Sequence, residues 1–232
     1  MIPVAAGALM RCDALLFDMD GVLVDSRGVV ERTWRRWAAR HALDPEPILH
    51  IAHGRRTRES LRLVYPELAI DEEVAWLDAA ELEDLGGVTA LPGAAPLLAS
   101  LPEPRWTIVT SAGRDLASLR LRSAGLPVPS RMVTSEDVTR GKPAPDGYRL
   151  GAERLGLEPG RLVVVEDAPP GLQAAIAAGM RTIALTTTHR AEQLAGADTI
   201  VQDLASVRLE TGRGELVLEF GPEPGEASCP GR

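Results

Sequence analysis

The stretch DALLFDMDGVLVDS, residues 13–26, reads as a buried strand that delivers two aspartates into a glycine turn. Ala14-Leu15-Leu16-Phe17 is an apolar run of strand length. Asp18 and Asp20 follow it, Gly21 frees the backbone, and Val22-Leu23-Val24 resumes an apolar pattern before Asp25 and Ser26. In α/β folds, ligands bind where parallel strands end. Residues i and i+2 of an extended segment point the same way, so the spacing lets Asp18 and Asp20 face one ligand unless the turn breaks the alternation. Two carboxylates this close repel unless a cation or a shared proton compensates. A divalent ion with oxygen ligands, Mg²⁺, is the simplest compensation. The competing reading of Asp18-Met19-Asp20-Gly21 is a plain turn after a strand, since Asp and Gly are common turn residues. The choice depends on how the later strands end.

The chain has 232 residues, 45% of them hydrophobic, enough for a sizeable core with one large or two small domains. Twenty-five basic residues face 33 acidic ones, a net charge of −8, which argues against a general nucleic-acid or membrane-surface binder. No apolar run approaches the roughly 18 residues of a membrane span. Residues 1–10 lack the charged start of a signal peptide. Cys12 and Cys229, at opposite ends, make neither a disulfide framework nor a zinc site, and a reducing cytoplasm fits them. An acidic, cysteine-poor chain of this kind is compatible with a monomer. Lys142 is the only lysine among 25 basic residues, so a specific need for an ammonium at that position is a question the sequence itself raises.

After Ser26 the period changes. Val30, Trp34, Trp37 and His41 recur at spacings of three and four, predicting an amphipathic helix over 29–42 with the tryptophans in its core face and His41 packing at its end. Further helices are expected over 57–65, stopped by Pro66, and over 71–85, where acidic residues open the helix. On the latter, Val74, Leu77 and Leu85 share a face with one polar exception, Glu81. Residues 28–89 thus read as an inserted all-helical unit. Between its first two helices, a loop from His50 to Arg58 concentrates His53, Arg55, Arg56 and Arg58. It is either a solvated loop or a cationic lip for an anionic substrate, and His53, Arg55 and Arg56 are the candidate substrate contacts.

Leu91-Pro92-Gly93 returns the chain to an α/β pattern. Helices are expected over 94–101 and 114–123, before Leu155 and before Ala178. Strands are expected at 106–110, 132–133, 162–165, 181–185, 199–201 and, as an edge strand, 215–220. Residues 221–232, rich in Gly and Pro, read as a disordered tail. The fold class is α/β: a Rossmann-like parallel sheet with helices on both faces, built from 1–27 and 90–220 with 28–89 inserted.

In such a sheet the strand ends share one edge. The first strand brings Asp18 and Asp20, the second Ser111 with Ala112 after it, and the 162–165 run brings Glu166 and Asp167. Lys142 sits on the loop between the last two. Each part suits phosphoryl transfer. A carboxylate can attack phosphorus and split one displacement into two. A second can protonate the leaving oxygen and then deprotonate water. Mg²⁺ offsets repulsion between carboxylate and phosphate. The Ser111 hydroxyl, the Ala112 amide and Lys142 can hold the remaining phosphoryl oxygens. Singly, Ser111 reads as a helix cap, Glu166-Asp167 as another, and Lys142 as a surface lysine; all of these readings must hold together to dismiss the site.

Asp18-Met-Asp20-Gly-Val-Leu-Val-Asp-Ser26, Val109-Thr-Ser111, Gly141-Lys142-Pro-Ala-Pro-Asp-Gly-Tyr148 and Val163-Val-Val-Glu166-Asp167-Ala-Pro-Pro-Gly171 resemble the motifs of the haloacid dehalogenase superfamily, on its phosphatase side, over about residues 10–210. The resemblance implies Asp18 as nucleophile and Asp20 as general acid/base. It also implies Mg²⁺ bound by Asp18, the Asp20 backbone carbonyl and Asp167, with Glu166 as ligand or behind the ligands, and residues 28–89 as a helical cap. Within the superfamily, His53-Gly54-Arg55-Arg56-Thr57, Val109-Thr-Ser111 and Glu166-Asp167-Ala168-Pro169 are similar to sugar and polyol phosphatases, including bacterial hexitol phosphatases and the phosphatases of glycerol phosphate and 2-deoxyglucose 6-phosphate. Dehalogenases lack the aspartate that stands here at 20. Phosphonatases use a cap lysine, and 28–89 has none. The expected activity is hydrolysis of small sugar or polyol phosphates through an aspartyl phosphate. The alternative is a phosphomutase of the β-phosphoglucomutase type, which resembles the chain in core and cap.

Overall fold

A computed structural model describes residues 9–52, 54–211 and 214–221. The chain opens with β1 (Leu9–Cys12), β2 (Ala14–Phe17) and β3 (Val24–Asp25). Helices α1 (Arg27–Arg40), α2 (Glu46–Leu49), α3 (Thr57–Val64) and α4 (Asp71–Glu83) follow, and β4 (Thr89–Ala90) brings the chain back. Then come α5 (Ala94–Ser100), β5 (Trp106–Ile108), α6 (Arg114–Ser123), α7 (Asp146–Leu155), β6 (Leu162–Glu166), α8 (Pro169–Ala177), β7 (Arg181–Leu185), β8 (Thr199–Val201), β9 (Val207–Thr211) and β10 (Leu216–Phe220).

The main sheet is parallel, in the order β5-β2-β6-β7-β8. Strand β2 and residues Leu162–Val165 of β6 are apolar at every position because helices cover both faces of the sheet. The period of two divides each strand between two cores. Leu15 and Phe17 of β2 join Val163 and Val165 of β6 on one side, whereas Ala14 and Leu16 join Leu162, Val164, Tyr148 and Ala174 on the other. Strand β2 lies between β5, which follows it in the sheet's chain order, and β6. The order reverses there, and the crevice at such a reversal is where doubly wound sheets bind ligands.

The helical cap is inserted between β3 and β4, a two-stranded antiparallel ribbon pairing Val24 with Ala90 and Asp25 with Thr89. The cap has its own core of Val30, Trp34, Trp37, Ile48, Leu61 and Leu77. Trp37 is fully buried, and its indole N–H donates to the Glu73 carboxylate at 2.7 Å. His41 Nε2 lies 2.9 Å from the same carboxylate, at the end of α1 as its spacing predicts. Two paired groups thus compensate a carboxylate that would be expensive to bury alone.

Two sheet assignments change. Residues 216–220 are not an edge of the parallel sheet. Strand β10 is the middle of a separate antiparallel sheet, β1-β10-β9, in which Leu218 faces Met10 on one side and Leu209 on the other. Leu216, Leu218 and Phe220 still enter the core that holds Phe17, while both backbone edges of β10 are taken. Met132-Val133 forms no full strand; a single parallel bridge joins Val109 to Val133 beyond β5. Residues 222–232 lie outside the described residues, as does His53. Among the described residues, no helix is long and apolar enough to cross a membrane.

Candidate active site

The turn after β2 carries the site. Asp18 continues the strand, its amide donating to the Val165 carbonyl at 2.9 Å. Gly21 then turns the chain at φ 84°, a conformation that suits glycine. The turn also needs glycine for space, since a Cβ there would stand 2.2 Å from Asp167 Oδ2. The sequence of the turn and the approach of Asp167, which follows β6, are therefore one requirement.

Asp18, Glu166 and Asp167 are each buried, and carboxylate oxygens of the three lie within 4.8 Å of one another. Lys142 holds the group together. Its ammonium donates to Asp18 Oδ1 and to Glu166 Oε1, both at 2.6 Å, and is itself buried. Glu166 is fully engaged. Oε1 also accepts from the Tyr148 hydroxyl at 2.8 Å, and Oε2 accepts from the amides of Asp167 and Ala168 at 2.9 and 3.2 Å. Asp167 Oδ2 accepts from the Thr188 hydroxyl, while Oδ1 is buried without a hydrogen-bond partner. Burial pushes the Asp18 carboxyl up to about 7, with Lys142 opposing the rise and Glu166 adding to it. Burial and the two neighbouring carboxylates also hold Asp167 well above the usual carboxylate range. For Lys142, burial favours the neutral amine, but Asp18 and Glu166 outweigh it and carry the ammonium above its ordinary value. Three crowded carboxylates, one with an orphaned oxygen, form a hard-oxygen set deficient in positive charge. The residues fit a divalent cation such as Mg²⁺.

The Asp20 side chain goes elsewhere. Its Oδ1 accepts from Ser26 Oγ at 2.6 Å and from Arg120 Nη1 at 3.0 Å. The turn breaks the strand alternation, so the two aspartates do not converge on the same carboxylate cluster, although both line one cavity of about 640 Å³. Ser111 and Ala112 line it too. The Ser111 hydroxyl donates to the Gly54 carbonyl of the cap at 3.1 Å, and the Ala112 amide is engaged locally by Thr110 Oγ1 at 3.1 Å.

The cap arginines divide. Arg55 lines the cavity, and among the described residues it makes no ion pair. Arg56 is committed to the core: its guanidinium donates to the carbonyls of Val138 and Thr139 at 3.0 and 3.3 Å. Glu59 accepts from the Gly141 amide at 3.1 Å, next to Lys142. Arg58 pairs with Asp71 of the cap. The loop thus lines the cavity through Arg55 and ties the helical unit to the lysine loop through Arg56 and Glu59.

Several contributors were not singled out from sequence. Thr187 and Thr188, in the turn after β7, reach Gly21 and Asp167. The signal was present, since Thr186-Thr187-Thr188-His189 follows a buried parallel strand at the same sheet edge. Arg120, buried in α6, is another such contributor. Gly171 is a further support: a Cβ there would lie 1.6 Å from Glu166 Oε1. Gly171→Ala is expected to cost about 1–3 kcal/mol in urea unfolding, because an overpacked wall must displace Glu166 from Lys142 and Tyr148. An unchanged unfolding midpoint would contradict this packing.

Residues 12–179 match the haloacid dehalogenase-like hydrolase model. The chain is 42% identical to hexitol phosphatase A of Escherichia coli, over 90% of this chain and 100% of that protein. It is 32% identical to glycerol-1-phosphate phosphohydrolase 1 of Saccharomyces cerevisiae, over 90% of this chain and 92% of the yeast protein. A solved hydrolase from Pseudomonas syringae superposes with a TM-score of 0.74 at 28% identity, over 82% of this chain and 94% of that one. With the aspartates, the lysine and the paired acids on one edge of a sheet of this topology, the chain belongs to the haloacid dehalogenase-like hydrolase family, among its phosphatases.

Proposed function

We propose that this protein is a Mg²⁺-dependent phosphatase of small phosphorylated sugars or polyols that works through an aspartyl phosphate on Asp18. The observation that carries the reading is the Asp18 carboxylate, buried between Lys142 and the Glu166-Asp167 pair at the edge of a cavity under the helical cap. The substrate class follows the relatives, which are named for hexitol and glycerol phosphates. A cavity of about 640 Å³ is of the size that takes a small molecule.

Asp18 attacks phosphorus, forming an O–P bond as the bond to the leaving alcohol breaks, and the alcohol oxygen takes the proton of Asp20. A water molecule then gives its proton to the Asp20 carboxylate and attacks phosphorus, which frees Asp18 and inorganic phosphate. Ser26 and Arg120 hold Asp20 in place for both transfers. Lys142, the Ser111 hydroxyl and the Ala112 amide hold phosphoryl oxygens. Ser111 gives up its bond to the cap carbonyl of Gly54 to do so, and Ala112 its local bond to Thr110. Asp18, Asp167 and the backbone carbonyl of Asp20 would hold the metal. Glu166, with both oxygens already accepting twice, stands behind them and fixes Lys142. Mg²⁺, when bound, neutralises carboxylate–phosphate repulsion and stabilises charge in the transition state.

Residues 28–89 act as a lid. Arg56, Glu59 and Gly54 hold it against the core loops at Val138, Gly141 and Ser111, the arrangement expected of a cap closed over chemistry that excludes bulk water. The test is a phosphate-release screen over hexitol, hexose and glycerol phosphates, nucleotides and phosphoglycolate. The expected result is highest kcat/KM for sugar or polyol phosphates, loss of turnover in EDTA and recovery with Mg²⁺. Turnover confined to nucleotides or phosphoglycolate would overturn the substrate class. Turnover indifferent to EDTA would overturn the metal assignment.

A further inference from the structure

Helix α6 buries Leu116, Ala117, Arg120 and Leu121 along one face, and Arg120 is only 2% exposed. A guanidinium in such a place is costly unless paired. Arg120 is paired twice, across the two parts of the protein. Nη1 donates to Asp20 Oδ1 of the core at 3.0 Å and Nη2 to Glu81 Oε2 of cap helix α4 at 3.2 Å. Its Nε–H is buried and has no partner. All three residues line the cavity.

The location gives the pairing a use. Asp20 marks where the leaving alcohol's oxygen sits, and one guanidinium separates it from Glu81. A substituent on the carbon next to the ester therefore meets the Glu81–Arg120 pair. Glu81 offers an acceptor, and the Arg120 Nε–H is a donor left without a partner beside it, together the hydrogen-bonding character of a hydroxyl group. A methylene there would leave that acceptor and donor unsatisfied, and a second phosphate would meet a carboxylate. Asp78 stands three residues before Glu81 on α4, lines the same cavity and accepts from Thr57 Oγ1 at 3.1 Å. Positions i and i+3 share a helix face, so α4 presents a row of carboxylates along the cavity.

We propose that Glu81 and Arg120 are the specificity-determining pair that reads the hydroxyl on the carbon adjacent to the phosphate ester, with Asp78 next in the row, so that α4 selects polyol chains over plain alkyl groups. The inference rests on the phosphatase reading above and deepens it.

The test compares kcat/KM for glycerol 3-phosphate and for propyl phosphate, which has the same chain and charge without the hydroxyls. It uses wild type, Glu81→Leu and the isosteric Glu81→Gln with Mg²⁺. Wild type is expected to prefer glycerol 3-phosphate by about tenfold or more, as loss of a hydrogen bond to a charged group implies. The preference should fall by about tenfold in Glu81→Leu, and in the same direction by less in Glu81→Gln, which keeps one acceptor. A ratio unchanged in both variants, whatever happens to the separate rates, would overturn the proposal, because a merely structural Glu81 would lower both substrates together. A wild-type enzyme without preference would also overturn it. No phosphate release by wild type from either ester would instead overturn the phosphatase reading and this inference with it. If Glu81→Leu fails to fold, Glu81→Gln alone decides.

Discussion

An Asp18→Asn variant is expected to lose phosphate release by at least about a thousandfold, since removal of an attacking group typically costs that much or more. The amide keeps the shape and can still accept from Lys142, whose ammonium lies 2.6 Å from Asp18 Oδ1. It also removes one of three buried carboxylates crowded within 4.8 Å. The Asp18 carboxyl, pushed up to about 7 by burial, marks how reluctantly that position ionises without a cation. Without Mg²⁺, the variant's thermal midpoint should therefore equal or exceed that of the wild type while activity is gone. Activity within tenfold of wild type would refute the role of Asp18. Loss of activity together with a lowered midpoint would show that the residue acts through the fold.

Lys142→Met is the second large effect. The ammonium bridges Asp18 and Glu166 and lies 5.2 Å from the Tyr148 ring centroid, all in buried surroundings. Its loss removes a fixed positive charge from the place where negative charge develops, with an expected fall in kcat/KM of about 10²–10³. It also leaves buried carboxylates uncompensated, at a cost of about 3–5 kcal/mol. The cost has a pH signature. With the lysine present, Asp18 ionises at about 7 in the folded protein. Without it, Asp18 ionises higher still, so the folded state holds a proton that the unfolded chain has released, and stability falls as pH rises. In urea unfolding with EDTA, the variant's deficit should be larger at about pH 8 than at about pH 6. An equal deficit at both, with kcat/KM unchanged, would contradict the bridge. Lys142→Arg is not expected to rescue: a guanidinium is broader than the compact ammonium, which is buried between Asp18, Glu166 and the Tyr148 ring. A chain that otherwise uses only arginine for permanent positive charge keeps its single lysine here.

The parallel sheet and its reactive edge were legible because each signal is local. Leu162–Val165 is an unbroken apolar run that ends in two acids, and Ala14–Phe17 ends in another acid before a glycine. The antiparallel sheet was not. Strand β10 pairs with β1 some 200 residues away, and nothing in either short segment names its partner. The Asp20 side chain departed from simple strand alternation because the turn at Gly21 intervenes before alternation can act. In the cap, the arginine-rich loop was visible, but the division of labour between Arg55 and Arg56 depends on carbonyls at Val138 and Thr139, more than 80 residues on. Glu81 was visible as a polar break in an apolar face, which is itself a signal. A lone acid at such a position requires a partner, and Arg120 is the basic counterpart buried among Leu116, Ala117 and Leu121. Joining the two needed the fold, because one residue belongs to the cap and the other to the core.

The stereochemical course at phosphorus tests the central claim most directly. A thiophosphate ester of glycerol, made chiral at phosphorus with an oxygen isotope and hydrolysed in water carrying another, yields chiral inorganic thiophosphate. Two in-line displacements, the first by Asp18 and the second by water, predict retention of configuration. Inversion would mean that water attacks the substrate itself, and would contradict Asp18 as the nucleophile.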